Sequence, residues 1–213
     1  MWYALRMDSV TPRREMYAAT TRRALMETAL RMFVDSGYLA VAAEDLVRAA
    51  GLSRGALYHH FGGKQGLFQA VFEEQEELAV LRIRNAMAAR TDPWRQALTG
   101  METFLDVCAE RDYREIVLLQ GPIALGWRRW RELDQRHLGG LLTAGTKALV
   151  DAGLIQEHPA EMIAAAIYGG LTELSLIMAE ADDPATARRD AGRLARNLLT
   201  GLAPNPHPDD ERP

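Results

Sequence analysis

Apolar residues in this chain recur every three or four positions almost from end to end, and no run keeps the two-residue alternation of a half-buried strand. Leu25, Ala29, Leu30, Phe33 and Val34 make one such stripe. Ile163, Ile167, Gly170, Leu174 and Ile177 make a second, and Ala187, Ala191, Leu194, Leu198 and Leu202 a third. A period of about 3.6 residues gathers each set on one side of a helix, which predicts an all-α fold. Hydrophobic residues are 48% of the 213, enough to build a packed core.

Glycine and proline punctuate the pattern. Gly37 closes a helix expected over residues 20–36, and Gly51 closes a short one over 44–50. A third begins at Ser53, whose hydroxyl suits an N-cap, with Leu52 and Leu57 at hydrophobic-staple positions. From Lys64 to about residue 90 no stop intervenes, which gives about 39 Å of helix, long enough to join two domains. Asp92-Pro93, Gly121-Pro122, His158-Pro159 and Asp183-Pro184 mark further starts, because the first turn of a helix has no use for the N–H that proline lacks. Gly126 and the Gly139-Gly140 pair are expected to bend or break the segment between Pro122 and Ala152. The organisation that results is a flexible N-terminal arm (1–19), a three-helix domain (20–66), a larger helical domain (67–203) and a disordered tail (204–213) with four prolines and three acids.

Two short helices joined across Gly51-Leu52 have the layout of a helix-turn-helix, whose second helix enters the major groove of DNA. That helix reads SRGALYHHF. With Arg54 at zero on a helical wheel, Tyr58, Gly55 and His59 fall within about 140° of it, while Leu57 and Phe61 anchor the other side. Arginine forks onto guanine O6 and N7, Tyr58, His59 and Lys64 reach phosphate oxygens, and Gly55 lets the backbone approach closely. His60 falls outside this arc. Net charge is −4, yet residues 1–64 carry +3 and the remainder −7, a distribution suited to an anionic polymer bound at one end. Arg13, Arg14, Arg22 and Arg23 are either a solvated lead-in or an arm that touches the minor groove or phosphates.

The stretch RRALMETALRMFVDSGYLAVAAEDLVRAAGLSRGALYHHFGGKQGLFQAVF, residues 22–72, resembles the N-terminal DNA-binding domain of TetR-type transcriptional regulators. The resemblance implies a cytoplasmic homodimer that reads a palindromic operator in double-stranded DNA, usually as a repressor, with a C-terminal domain that binds a small-molecule effector and releases the DNA. It also implies DNA contacts at Arg54, Gly55, Tyr58, His59, His60 and Lys64. The chain departs from its relatives at two points. Ala42-Ala43 stand where a capping serine or threonine is usual, and Gly62-Gly63 replace the serine before the lysine, a poorer cap for the next helix.

The two C-terminal stripes either fill one subunit's core or form a four-helix interface with a second copy. The resemblance favours the interface, with Ile163, Ile167, Gly170, Leu174, Ile177, Ala191, Leu194 and Leu198 as its candidate residues. Trp127 and Trp130, three apart, are helical neighbours. Met101, Phe104, Leu105, Cys108, Gln120, Trp127, Tyr168 and Thr172 either line an effector pocket or pack the core. A ligand between the middle helices would pull on the long helix from Lys64 and shift two recognition helices that must match half-sites about 34 Å apart.

Other chemistries find little support. Cys108 is the sole cysteine, so no intrachain disulfide forms, and neither it nor His137 sits in a nucleophile motif. There is no HExxH, His59 and His60 point about 100° apart, and HHFGGK lacks both the first glycine and the final Ser/Thr of a phosphate loop. The reading is therefore of a non-enzyme without metal or cofactor. No run approaches about 18 consecutive apolar residues, and a reducing cytoplasm suits the cysteine usage. The alternative is a nonspecific architectural DNA-binding protein that has no effector.

Overall fold

The computed structural model describes residues 10–155 and 158–204, and every regular element among them is helical. The chain divides into two compact units between Phe72 and Glu73.

The first unit holds α1 (Val10–Ser36), α2 (Ala43–Ala49), α3 (Arg54–Phe61) and the opening of α4 (Lys64–Ala88). α1 begins ten residues before the expected position 20, so residues 10–19 of the expected flexible arm are helical. Pro12 does not prevent this, because it lies in the first turn. Residues 1–9, the side chains of Arg13 and Arg14, and the expected disordered tail from residue 205 lie outside the described residues.

Leu25, Ala29 and Phe33 from α1, Leu46 from α2, Leu57 from α3, and Leu67, Phe68, Val71 and Phe72 from α4 are completely buried. The unit therefore runs past residue 66, since the first two turns of α4 complete its core. Phe33, Tyr38 and Phe68 pack as a trio with centroids 5.0–5.7 Å apart, an arrangement worth about 1 kcal/mol per pair beyond area burial.

Local chemistry sets the ends of these helices. α2 starts after Ala42 without a side-chain cap, and Glu44 and Asp45 in its first turn complement the positive end of the helix. Ser53 caps α3 by accepting the Ala56 N–H at 3.2 Å. Gly62 closes α3 at φ 72° and Gly63 follows at φ 130°, conformations that a side chain resists. The glycine pair is thus what lets α3 turn directly into α4. A serine at 63 would be strained there.

The second unit continues α4 and adds α5 (Pro93–Ala109), α6 (Arg111–Tyr113), a π-helical segment (Arg114–Leu119), α7 (Gly121–Leu125), α8 (Trp127–Asp151), α9 (Ala160–Glu180) and α10 (Pro184–Thr200). Asp92 and Asp183 cap α5 and α10 by accepting the N–H of Arg95 and of Thr186, at 2.8 and 3.1 Å, just ahead of each leading proline. Gly126 does end α7, at φ 80°. Gly139-Gly140, by contrast, lie inside an unbroken α8. The pair costs about 2 kcal/mol relative to alanine. Burial of Trp130, Leu133 and Leu138 on one side and Thr146 and Leu149 on the other offsets that cost.

α9 packs on α5, α8 and α10. Its mean hydropathy of 1.6 and its length would suffice to cross a bilayer, although its Ala164, Tyr168, Leu171, Ser175 and Met178 side is buried in the unit. Arg188 of α10 fastens α5 by gripping Glu102 and Asp106 at 2.6 and 2.7 Å, and Arg196 adds a 2.9 Å contact to Glu102.

Candidate functional site

α3 turns Leu57 inward, fully buried, and presents Arg54, Gly55, Tyr58 and His59 to solvent. Arg54 is held in place on that surface. Its Nη1 donates to Glu44 Oε1 at 2.9 Å, its Nη2 lies 3.4 Å from Tyr58 Oη, and its guanidinium stands 5.5 Å from the Tyr58 ring centre. His60 is half-buried, with its ring between those of His59 and Phe61 at 5.0 and 6.2 Å. Phe61 is only half-buried too, under the Arg22 guanidinium at 5.3 Å.

Lys64 sits differently from the solvent-facing phosphate contact expected of it. Its Nζ donates to the carbonyls of Tyr38 and Val41, each at 2.8 Å, and lies 4.1 Å from the Tyr38 ring centre. The ammonium braces the α1–α2 loop. Its partners lie 26 and 23 residues away in sequence, so no local pattern announces them.

In the second unit, helices α4, α5, α8, α9 and α10 line a partly open apolar cavity. Of the eight residues named for an effector pocket, Met101, Phe104, Tyr168 and Thr172 line it. Leu105, Cys108, Gln120 and Trp127 do not. The first three are buried away from its wall, whereas Trp127 is 55% exposed and stacks on Trp130 at 4.7 Å. Trp130 takes the interior place and donates its indole N–H to the Val117 carbonyl at 2.8 Å.

The longest stretch of wall is one the sequence reading missed: Leu138, Leu141, Leu142, Gly145, Thr146 and Leu149 of α8. Their helical spacing is plain in the sequence, but an expected break at Gly139-Gly140 hid it.

Beside the cavity lies a buried polar layer. Tyr113 donates to Glu76 Oε1 at 3.3 Å, and Tyr168 donates to Asp134 Oδ2. Burial holds Glu76 well above the usual carboxylate range, reinforced by the charge and hydrogen bonding of Asp134. Glu76 Oε2 has no hydrogen-bond partner among the described residues. Burial also raises Asp134, opposed by the hydrogen bond from Tyr168 and by the charges of Arg131 and His137. The Cys108 thiol is pushed far up by complete burial and then by the two nearby carboxyls, which leaves it unsuited to nucleophilic work.

The eight residues proposed for a subunit interface separate on the structure. Ile177, Leu194 and Leu198 are about half exposed, and Ile167, Gly170 and Leu174 are intermediate. Ile163 and Ala191 are buried within the chain itself. The outward face of α9 carries Met162, Ala165, Ala166 and Ile177 instead, and Met162 precedes Ile163 by about 100° of helix. The stripe drawn through the larger apolar residues partly marks the chain's own core.

Comparison with known proteins finds family matches in both units. Residues 25–71 match the family described as bacterial regulatory proteins, tetR family, and residues 94–202, half of the chain, match a tetracyclin repressor-like C-terminal domain. The Transposon Tn10 TetC protein of Escherichia coli is 21% identical over 160 residues, 74% of this chain and 79% of that protein. The HTH-type transcriptional activator FasR of Mycolicibacterium smegmatis is 33% identical over 85 residues, a match that spans 40% of this chain and 39% of FasR. Among solved structures, a transcriptional regulator from Pectobacterium atrosepticum superposes with a TM-score of 0.79 at 29% identity, over 90% of this chain and 98% of that one.

Proposed function

Because the chain belongs to the TetR family of DNA-binding transcriptional regulators, we propose that it is a homodimeric repressor, released from a palindromic operator by a small molecule. The observation that carries this reading is the outward face of α3, where Arg54, Gly55, Tyr58 and His59 stand together on a helix anchored by Leu57. Arg54 would supply the base contact and the others backbone contacts. His60 is half-buried beside His59 and Phe61, and Lys64 is engaged by the α1–α2 loop.

The cavity supports an effector, since its wall is apolar with a few placed hydroxyls. The exposed Met162, Ile177, Leu194 and Leu198 of α9 and α10 support a second copy as partner. Repression follows the tetracyclin repressor-like match, although FasR carries the name of an activator. α4 supplies a mechanical route, because the helix that begins at Lys64 also contributes Ile83 and Met87 to the cavity wall. A ligand that displaces that wall would change the spacing of paired recognition helices. Reading an operator places this work in the cytoplasm.

Fluorescence anisotropy on DNA from upstream of the coding region tests the reading, with scrambled competitor and a salt titration. Competitor-resistant binding by two subunits per site is expected. Weak binding that salt abolishes on every genomic fragment would instead indicate nonspecific association.

A further inference from the structure

We infer that Glu44 is a specificity-determining residue of the DNA-reading face, one that holds the Arg54 guanidinium ready for a base and screens it from phosphate without touching DNA itself. The inference rests on the reading of α3 as the helix that meets DNA.

Glu44 and Arg54 belong to different helices. Glu44 stands in the first turn of α2, and Arg54 opens α3 ten residues later. The turn between them is fixed by its backbone. Gly51 takes φ 67°, the Leu52 N–H donates to the Val47 carbonyl at 2.8 Å, and Ser53 caps α3. Leu46 and Leu57, both completely buried, fasten the inner sides of the two helices. The fold therefore sets the distance that the pair spans.

Three contacts then converge on one guanidinium. Arg54 Nη1 donates to Glu44 Oε1 at 2.9 Å, Nη2 reaches Tyr58 Oη at 3.4 Å, and the group lies 5.5 Å from the Tyr58 ring centre. All three residues are exposed, and an ion pair so placed adds little to stability. What it changes is how the arginine behaves. An unrestrained arginine is a long, flexible cation that attracts phosphate in any sequence, whereas a fork on guanine O6 and N7 demands one orientation. Glu44 acts on both counts. It fixes one corner of the fork and leaves further N–H donors for the base. Its charge offsets that of Arg54 and is itself repelled by phosphate, which weakens binding to unmatched DNA more than binding to a site that presents a guanine.

Asp45 supplies a matched contrast. It is the other acid in the first turn of α2, equally suited to complement the helix end, but it pairs with Arg48 of its own helix at 3.0 Å. Removing either acid takes the same charge from α2. Of the two, Glu44 is the one paired with α3.

Anisotropy of the full-length protein decides the matter, on the upstream fragment that it binds in the presence of competitor and on a scrambled duplex of equal length, each across a salt series. Glu44→Ala is expected to tighten binding to the scrambled duplex about threefold and to steepen its salt slope by about one phosphate. The ratio of the two affinities should fall about fivefold. Asp45→Ala should keep that ratio within about twofold of wild type. In an Arg54→Ala background, adding Glu44→Ala should leave the ratio where Arg54→Ala put it, because no guanidinium remains to be held.

An unchanged ratio in Glu44→Ala would overturn the inference. So would a loss that Asp45→Ala shares, the mark of a weakened α2, or a loss that persists in full on Arg54→Ala, the mark of Glu44 reading a base directly. Each of these leaves the regulator reading intact. A wild-type protein that binds every genomic fragment as it binds the scrambled duplex would instead sink that reading, and the inference with it.

Discussion

Two of the three N–H bonds of Lys64 are engaged by the Tyr38 and Val41 carbonyls, and that changes what removing them should do. Hydrogen bonds from a charged donor contribute about 1.5–3 kcal/mol each when partly shielded. Lys64→Ala should therefore lower the stability of the first unit by about 2 kcal/mol, seen as a lower midpoint in thermal or urea unfolding. If the midpoint stayed put while operator affinity and its salt slope fell, the lysine would be a phosphate contact after all. Arg54 invites the opposite expectation. Its pair with Glu44 is exposed, so it orients the guanidinium and adds little stability. Arg54→Ala should leave the unfolding midpoint where it is and erode discrimination between operator and scrambled DNA if the fork reads guanine.

The junction of α3 and α4 leaves no room for a side chain at Gly66. A Cβ placed on Gly66 would fall 1.8 Å from the Phe61 carbonyl oxygen, an atom of the backbone that cannot step aside. Gly66→Ala should cost about 2–3 kcal/mol and weaken operator binding with it, because α3 would have to lift off α4. Gly140 lies in open space inside α8, so Gly140→Ala should stabilise by up to about 1 kcal/mol in the same unfolding measurement. The contrast marks what a sequence can disclose about elements. Ser53, Asp92 and Asp183 act within three residues of themselves, and the helix starts they imply are where the structure has them. The extension of α1 back to Val10, the continuity of α8 through two glycines and the bracing by Lys64 depend on partners far along the chain. The cavity was half legible for the same reason. Met101, Phe104, Tyr168 and Thr172 carry the chemistry of a lining, but choosing them over Leu105 and Cys108 requires knowing which side of α5 meets α8.

For the molecule as a whole, the buried carboxyl pair links stability to pH in an uncommon direction. The folded state raises the pKa of Glu76 and so holds a proton that the unfolded chain gives up. Folded protein then binds more protons than unfolded protein once the pH passes the ordinary carboxylate value of about 4.3, and this group's contribution to stability falls as pH rises above it. Glu76→Gln keeps a donor facing Asp134 and an acceptor for Tyr113 without the titration. Its midpoint should exceed the wild type's at pH 8 and converge with it near pH 5, as thermal scans across that range would show. A difference independent of pH would mean that Glu76 is ionised in the folded protein.

The outward face of α3 proposed to meet DNA lies between positions 54 and 59 and the cavity wall between 83 and 199, and the two units part inside a single helix. Sensor and reader can accordingly be exchanged as cassettes, provided the splice respects the screw of α4. Each residue added or lost between Phe72 and Glu73 would turn every later side chain on that helix by about 100°, whereas seven added together return them to within about 20°. A chimera library that varies linker length by single residues should give active switches in bands about three to four residues apart, and a designer can begin at the bands.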